Sequence, residues 1–109
     1  MEEDILHYAY DPEQFRQQGH QLIDRLANYL AQMQDDPHLA VLPWQPPEDK
    51  LYSWEADFAD SPQENIGHFF DRVLMESIHI HHPRYVGHQV SAPAPAAALA
   101  GLLSAFLNN

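Results

Sequence analysis

Histidine is the most concentrated chemistry-bearing residue in this chain. His68, His79, His81, His82 and His88 fall within about twenty positions of one another. Imidazole is the commonest metal ligand, but a zinc site needs three or four donors at workable spacing. His79 and His81 share a face only on an extended strand, and His81 and His82 are adjacent. There is no Cys, and no Asp or Glu stands at ligand spacing, so no metal site is assigned. The plain reading is imidazoles near the negative end of a helix dipole, with ordinary polar loop residues beside them. Ser91 has His88 three residues before it, but no acid is visible to orient the imidazole as nucleophilic catalysis requires. A Gly-rich phosphate loop is also lacking. No catalytic residue is therefore assigned.

The run Arg84-Tyr85-Val86-Gly87-His88-Gln89-Val90-Ser91 reads better as the edge of a ligand site. Arg84 can pair with a carboxylate or phosphate, or make a surface salt bridge. His88 can stack on a flat ring or donate a hydrogen bond, and Gln89 and Ser91 can bond a polar ligand. Each of these groups could equally tie down its own loop.

The elements that must position this run follow from hydrophobic spacing. Asp11-Pro12-Glu13-Gln14 is a helix start, with Asp11 to cap, Pro12 at the first helical position and Gln14 able to reach back. Phe15, Leu22, Ile23, Leu26, Tyr29, Leu30 and Met33 then share one stripe, and Asp35-Asp36-Pro37 ends a helix over 12–35. Residues 1–10 show no clear period. Pro37, Pro43, Pro46 and Pro47 predict an extended connection over 37–60, anchored by Leu42, Trp44, Leu51, Tyr52, Trp54 and Phe58. Ser61-Pro62-Gln63-Glu64 opens a second helix, over 62–79, whose stripe is Ile66, Phe69, Phe70, Val73, Leu74 and Ile78. Pro83 stops it. Residues 83–94 should be extended, with Gly87 permitting a turn or a close backbone approach. Pro95 opens a third helix over 95–107, apolar nearly all round. The expectation is an all-α unit of about three helices joined by a long Pro-rich connection.

The chain has 109 residues, five Lys+Arg against sixteen Asp+Glu, and a formal net charge of −11. That is at most one domain. The charge argues against a phosphate-neutralising face, so no nucleic-acid partner is expected. The N-terminus Met1-Glu2-Glu3-Asp4 is acidic where a signal peptide would be basic. The longest apolar stretch, Ala92 to Leu107, holds two Pro, a Gly and a Ser and is too short to span a bilayer. A cytoplasmic protein without a membrane partner is expected. No Gly cap follows Leu107, and the chain stops at Asn108-Asn109, which reads as a segment of a longer protein. The apolar stripes exceed what three short helices can cover, and an intertwined homodimer would bury the remainder.

The run His82-Pro83-Arg84-Tyr85-Val86-Gly87-His88-Gln89-Val90-Ser91, followed by Pro93, Pro95, Ala98-Leu99 and Leu102-Leu103, resembles the N-terminal segment of the pyridoxal-phosphate-dependent group II decarboxylases. That family includes the aromatic-amino-acid, glutamate, histidine and diaminobutyrate decarboxylases. Phe15-Arg16, Gly19-His20, Leu22-Ile23-Asp24 and Ala27-Asn28-Tyr29-Leu30 look like the family's first helix, and the Pro-rich middle with Leu42-Pro43 also fits. The resemblance covers the chain from about Asp11.

It implies residues 1–109 as a single N-terminal helical dimerisation segment of a fold-type I enzyme, with the large cofactor domain beyond 109. The partners implied are a second copy, the rest of the polypeptide and a small amino-acid substrate. It places 85–91 at the mouth of the active site, with Ser91, His88, Gln89 and Tyr85 as substrate-binding residues. The aromatic members have bulky aromatics at positions 88 and 89, and this sequence does not. Family members hold the cofactor on a Lys preceded by His, whereas the single lysine, Lys50, follows Asp49. The parent would thus be a pyridoxal-phosphate-dependent carboxy-lyase, and this chain alone would bind no cofactor and be inactive. The other function class is a stand-alone, non-catalytic helical dimerisation module, with the histidines answering to metal or pH.

Overall fold

In a computed structural model the chain is described over residues 2–60, 66–87 and 90–108. Five helices run through them: α1 Glu2–Ala9, α2 Pro12–Asp35, α3 Pro47–Asp60, α4 Ile66–Glu76 and α5 Pro95–Leu107. The described residues contain no strand. The all-helical expectation holds, with two helices more than the spacing marks.

α2 begins and ends where its sequence signals stand. Asp11 accepts the Glu13 amide at 3.2 Å and Pro12 takes the first position, where a missing N–H costs nothing. At the far end the Asp36 N–H donates to Gln32 while Asp36 itself turns extended. The stretch before α2, for which spacing gave no clear period, is ordered. It forms α1, and the Tyr8 hydroxyl accepts from Gln18 Nε2 at 3.3 Å.

The extended connection expected over 37–60 is only half present, because residues from Pro47 onward form α3. Pro47 stands at the start of the helix, Pro46 supplies the first acceptor to the Lys50 N–H at 3.1 Å, and no proline follows before Asp60 to interrupt the ladder. Five of the six expected anchors, Leu42, Trp44, Leu51, Tyr52 and Phe58, are exposed. Trp54 alone is half-buried.

α4 is shorter than 62–79. Residues 61–65, with the expected capping box, lie outside the described residues. At the other end the helix stops at Glu76. The Ser77 hydroxyl donates to the Val73 carbonyl at 2.5 Å, and the His79 N–H donates across to Val41 at 2.9 Å rather than back into the helix. Ile78 therefore leaves the stripe.

Among the described residues α2 packs closely on α4, and α1 on α2. The Arg25 guanidinium crosses Gly67 to reach Asp71 at 2.8 Å. A Cβ on Gly67 would stand 2.6 Å from Arg25 Nη2, so a larger residue would push the arginine aside. α3 reaches α4 through long side chains. The Arg72 guanidinium lies 4.0 Å over the Trp54 ring, and Phe69 meets Trp54 edge-on at 6.1 Å.

α5 runs antiparallel to α2: Phe106 near its end meets Phe15 near the start of α2 at 5.3 Å, while Ala98 and Leu99 face Ile23 to Leu30 across a cleft. Its C-terminus is capped after all. Asn108 takes the left-handed conformation, φ 57°, and its N–H returns to Ser104 and Ala105, a role asparagine fills with little steric cost.

Met33, 1% exposed, is the one fully buried apolar side chain among the described residues. The radius of gyration is 16.4 Å, against roughly 13 Å for a compact chain of this length. The apolar stripes exist, but they lie open. No described helix is long and apolar enough to cross a membrane.

Candidate functional site

The candidate ligand run leaves α4 through a strap, residues 79–84, laid across the C-terminal end of α2. Two successive turns shape it: His82 N–H donates to the His79 carbonyl at 3.1 Å and Tyr85 N–H to the His82 carbonyl at 2.9 Å. This corrects the extended reading at residues 83 and 84. The turns put the ring three residues on from His79 on the same inner side. Both imidazoles are buried. His79 Nδ1 is hydrogen-bonded to the Tyr29 hydroxyl at 2.5 Å, and His82 Nε2 donates to the Asp36 carbonyl at 2.7 Å. That carbonyl belongs to the end of α2, where helix acceptors lack internal partners. Burial lowers the proton affinity of His79 first, and His82 beside it adds to the effect. Burial also raises the Tyr29 hydroxyl above its ordinary value.

Arg84 Nη1 donates to the Pro37 carbonyl at 3.0 Å, and among the described residues Arg84 forms no ion pair. Tyr85 is half-buried at the exit of the strap. Its ring folds over Gly87 so closely that a Cβ there would collide with the phenol, so the close approach expected of this glycine is present. Val86 is almost fully exposed. His88 and Gln89 lie outside the described residues. Ser91 is exposed, on the irregular stretch that enters α5. The described part of the run thus forms one open wall. It does not enclose a ligand.

Beside that wall lies an apolar cleft of about 430 Å³. Its sides are α2 at Ile23 to Leu30, the end of α4 at Leu74, and α5 at Ala98 and Leu99, with Ser77 and His81 as polar lining groups. Sequence spacing places these apolar residues on stripes but does not place the stripes opposite one another.

A second polar cluster joins α3 to α4. Arg72 Nε donates to Glu76 at 2.7 Å, Trp54 Nε1 donates to the other Glu76 oxygen at 3.1 Å, and His68 meets Asp57 at 2.5 Å. The Arg72 hydrogen bond is the main reason the Glu76 carboxyl lies below its ordinary range. Lys50 Nζ donates to the Glu76 carbonyl at 3.5 Å. These contacts hold one helix on another. The sequence reading missed Glu76 and Asp57, because each meets a partner across the α3–α4 junction and α3 was not expected. Among the described residues, no three His, Cys, Asp or Glu side chains converge as metal ligands would.

No family model, curated protein or solved structure matches the chain.

Proposed function

We propose that this chain is the N-terminal part of a pyridoxal-phosphate-dependent amino-acid decarboxylase, a cytoplasmic carboxy-lyase, and that it supplies dimer contacts and one wall of the substrate pocket. The observation that carries the reading is the exposure of Val86, Gly87, Val90 and Ser91 between a tied-down strap and a helix whose Leu99, Leu102, Leu103 and Phe106 are all half or more exposed. A wall beside an uncovered apolar helix is the form expected of a segment completed by other protein surface.

The described residues do not fit a cofactor cradle. Lys50, the single lysine, is committed to the α3–α4 junction. The cofactor therefore belongs to the rest of the parent enzyme, and no chemical step is assigned to it here. The work of this chain is binding and orientation. The Ser91 hydroxyl and the Tyr85 phenol present polar atoms to a small amino acid. His88 and Gln89 are assigned beside them on the family resemblance alone. The apolar faces of α2 and α5 meet the partner copy and the large domain.

The test is the visible absorbance of this chain, and of a chain extended through the large domain, with pyridoxal phosphate added. The expected result is a bound-cofactor band in the extended chain only. An extended chain that folds well and takes up no cofactor overturns the reading. The other function class, a stand-alone helical dimerisation module, draws on the same uncovered apolar faces. It is then the better account. A metal response is the weaker part of it, because both nitrogens of His82 and one of His79 already have protein partners.

A further inference from the structure

The contacts that bind the strap to α2 constrain the protonation of His82. Its Nε2 lies 2.7 Å from the Asp36 carbonyl oxygen. A carbonyl only accepts, so Nε2 carries the proton. Its Nδ1 lies 3.0 Å from the Arg84 amide nitrogen. A backbone N–H only donates, so Nδ1 is bare. One neutral tautomer satisfies both partners. A second proton, on Nδ1, would face the Arg84 N–H donor to donor. His79, 2% exposed, sits beside it against Tyr29.

We infer that His79 and His82 form an acid-sensitive latch, in which protonation of the imidazoles releases the 79–84 strap from the end of α2. Among the described residues no carboxylate is hydrogen-bonded to either imidazole; the carbonyl end of α2 beside His82 is the nearest negative pole. From α2 the facing groups are the Tyr29 hydroxyl and the Asp36 carbonyl, and the Asp36 carboxylate is turned to the His38 amide at 3.1 Å. From the segment after α2 come the Val41 carbonyl, taken by the His79 amide, and the Pro37 carbonyl, taken by Arg84. On the strap itself Arg84 is already cationic, and His81 lines the apolar cleft. Among the described residues neither imidazole is hydrogen-bonded to a carboxylate, so a cation formed there is buried without a paired counter-charge.

The direction follows from linkage. His79 binds its proton less readily folded than unfolded, so its contribution to stability is complete above its ordinary value near 6.5. It is lost as pH falls through the lowered folded value. That release frees the candidate substrate wall is a consequence resting on the proposed function; the latch itself does not rest on it.

The chain holds six other histidines, so the test must be site-resolved. Amide hydrogen exchange of the wild-type chain, corrected for intrinsic rates, is compared at about pH 7.5 and about pH 5.5. The probes are the amides of His79, His82, Arg84 and Tyr85, each of which has a named acceptor. Their protection should fall tenfold or more at the lower pH, while amides inside α2 and α4 keep theirs. His82→Gln, which cannot take a second proton, should show a smaller pH response at these sites. Unchanged protection in the wild type overturns the latch, whether or not the variant folds. So does an equal loss throughout α2 and α4, which is global acid unfolding. A folded His82→Gln with the full wild-type response overturns it as well.

Discussion

Glu76 shows how much of this molecule depends on single polar side chains. One carboxylate oxygen takes the Arg72 guanidinium and the other takes the Trp54 indole N–H. The same residue's carbonyl takes Lys50. With its carboxyl held below the ordinary value, chiefly by the Arg72 hydrogen bond, the charged form favours folding. That contribution is present above the unfolded value and is lost as pH falls through the lowered folded one. Glu76→Gln should lower the melting temperature at neutral pH and flatten its fall between about pH 5 and about pH 3. Thermal melts of both proteins across that range check it, and parallel curves would refute it. The Arg72–Glu76 pair is legible in sequence as an i,i+4 pair on a helix. The indole is not, because Trp54 precedes Glu76 by 22 residues on a separate helix.

At the scale of the element, α3 is inverted relative to an ordinary amphipathic helix. The side turned to α4 presents Lys50, Trp54 and Asp57, all only partly exposed, and it is held by hydrogen bonds and ion pairs. Leu51, Tyr52 and Phe58 face outward at 61%, 75% and 68% exposure. This explains why hydrophobic spacing did not reveal the helix: the residues that hold it are polar, and the apolar ones form no inward stripe. Trp54 is the one aromatic anchor that holds it. Trp54→Ala should cost about 1–1.5 kcal/mol for losing a half-buried indole. Exchange protection should drop within α3 while α2 and α4 keep theirs. Exchange measured residue by residue separates that outcome from general destabilisation.

At the scale of the whole molecule, uncovered apolar surface dominates. The two helices that the spacing marks most clearly, α2 and α4, do pack together, yet Ile23, Leu26, Phe69 and Val73 each stay about 40% exposed. α5 touches α2 through the Phe15–Phe106 ring contact and otherwise stands across an open cleft. Surface of this kind favours association over solvation. If the proposed homodimer forms, Leu103→Glu, at a 61% exposed position, should shift it toward monomer in sedimentation velocity without changing the helical circular dichroism. A wild-type chain that stays monomeric at every concentration tested would rule out the homodimer.

The sequence alone determined those elements whose boundaries rest on local chemistry. Asp11-Pro12 starts α2 and Asp35-Asp36 ends it, Pro95 opens α5, and the stripe from Ile66 to Leu74 makes α4, because caps and prolines act within a turn of themselves. The same locality made Gly87 legible as a point of close approach. Tertiary structure decided what depends on distant partners. α4 ends at Glu76 because His79 bonds to Val41, 38 positions earlier in the chain. His79 and His82 are latch residues rather than loop residues because the end of α2 offers Tyr29 and the Asp36 carbonyl to them. Only one wall of the candidate site is formed by the described residues, since the cleft beside it is set by where α5 lies across α2. Hydrophobic period specifies that a helix has an apolar face; which surface covers that face is a long-range choice that no local spacing encodes.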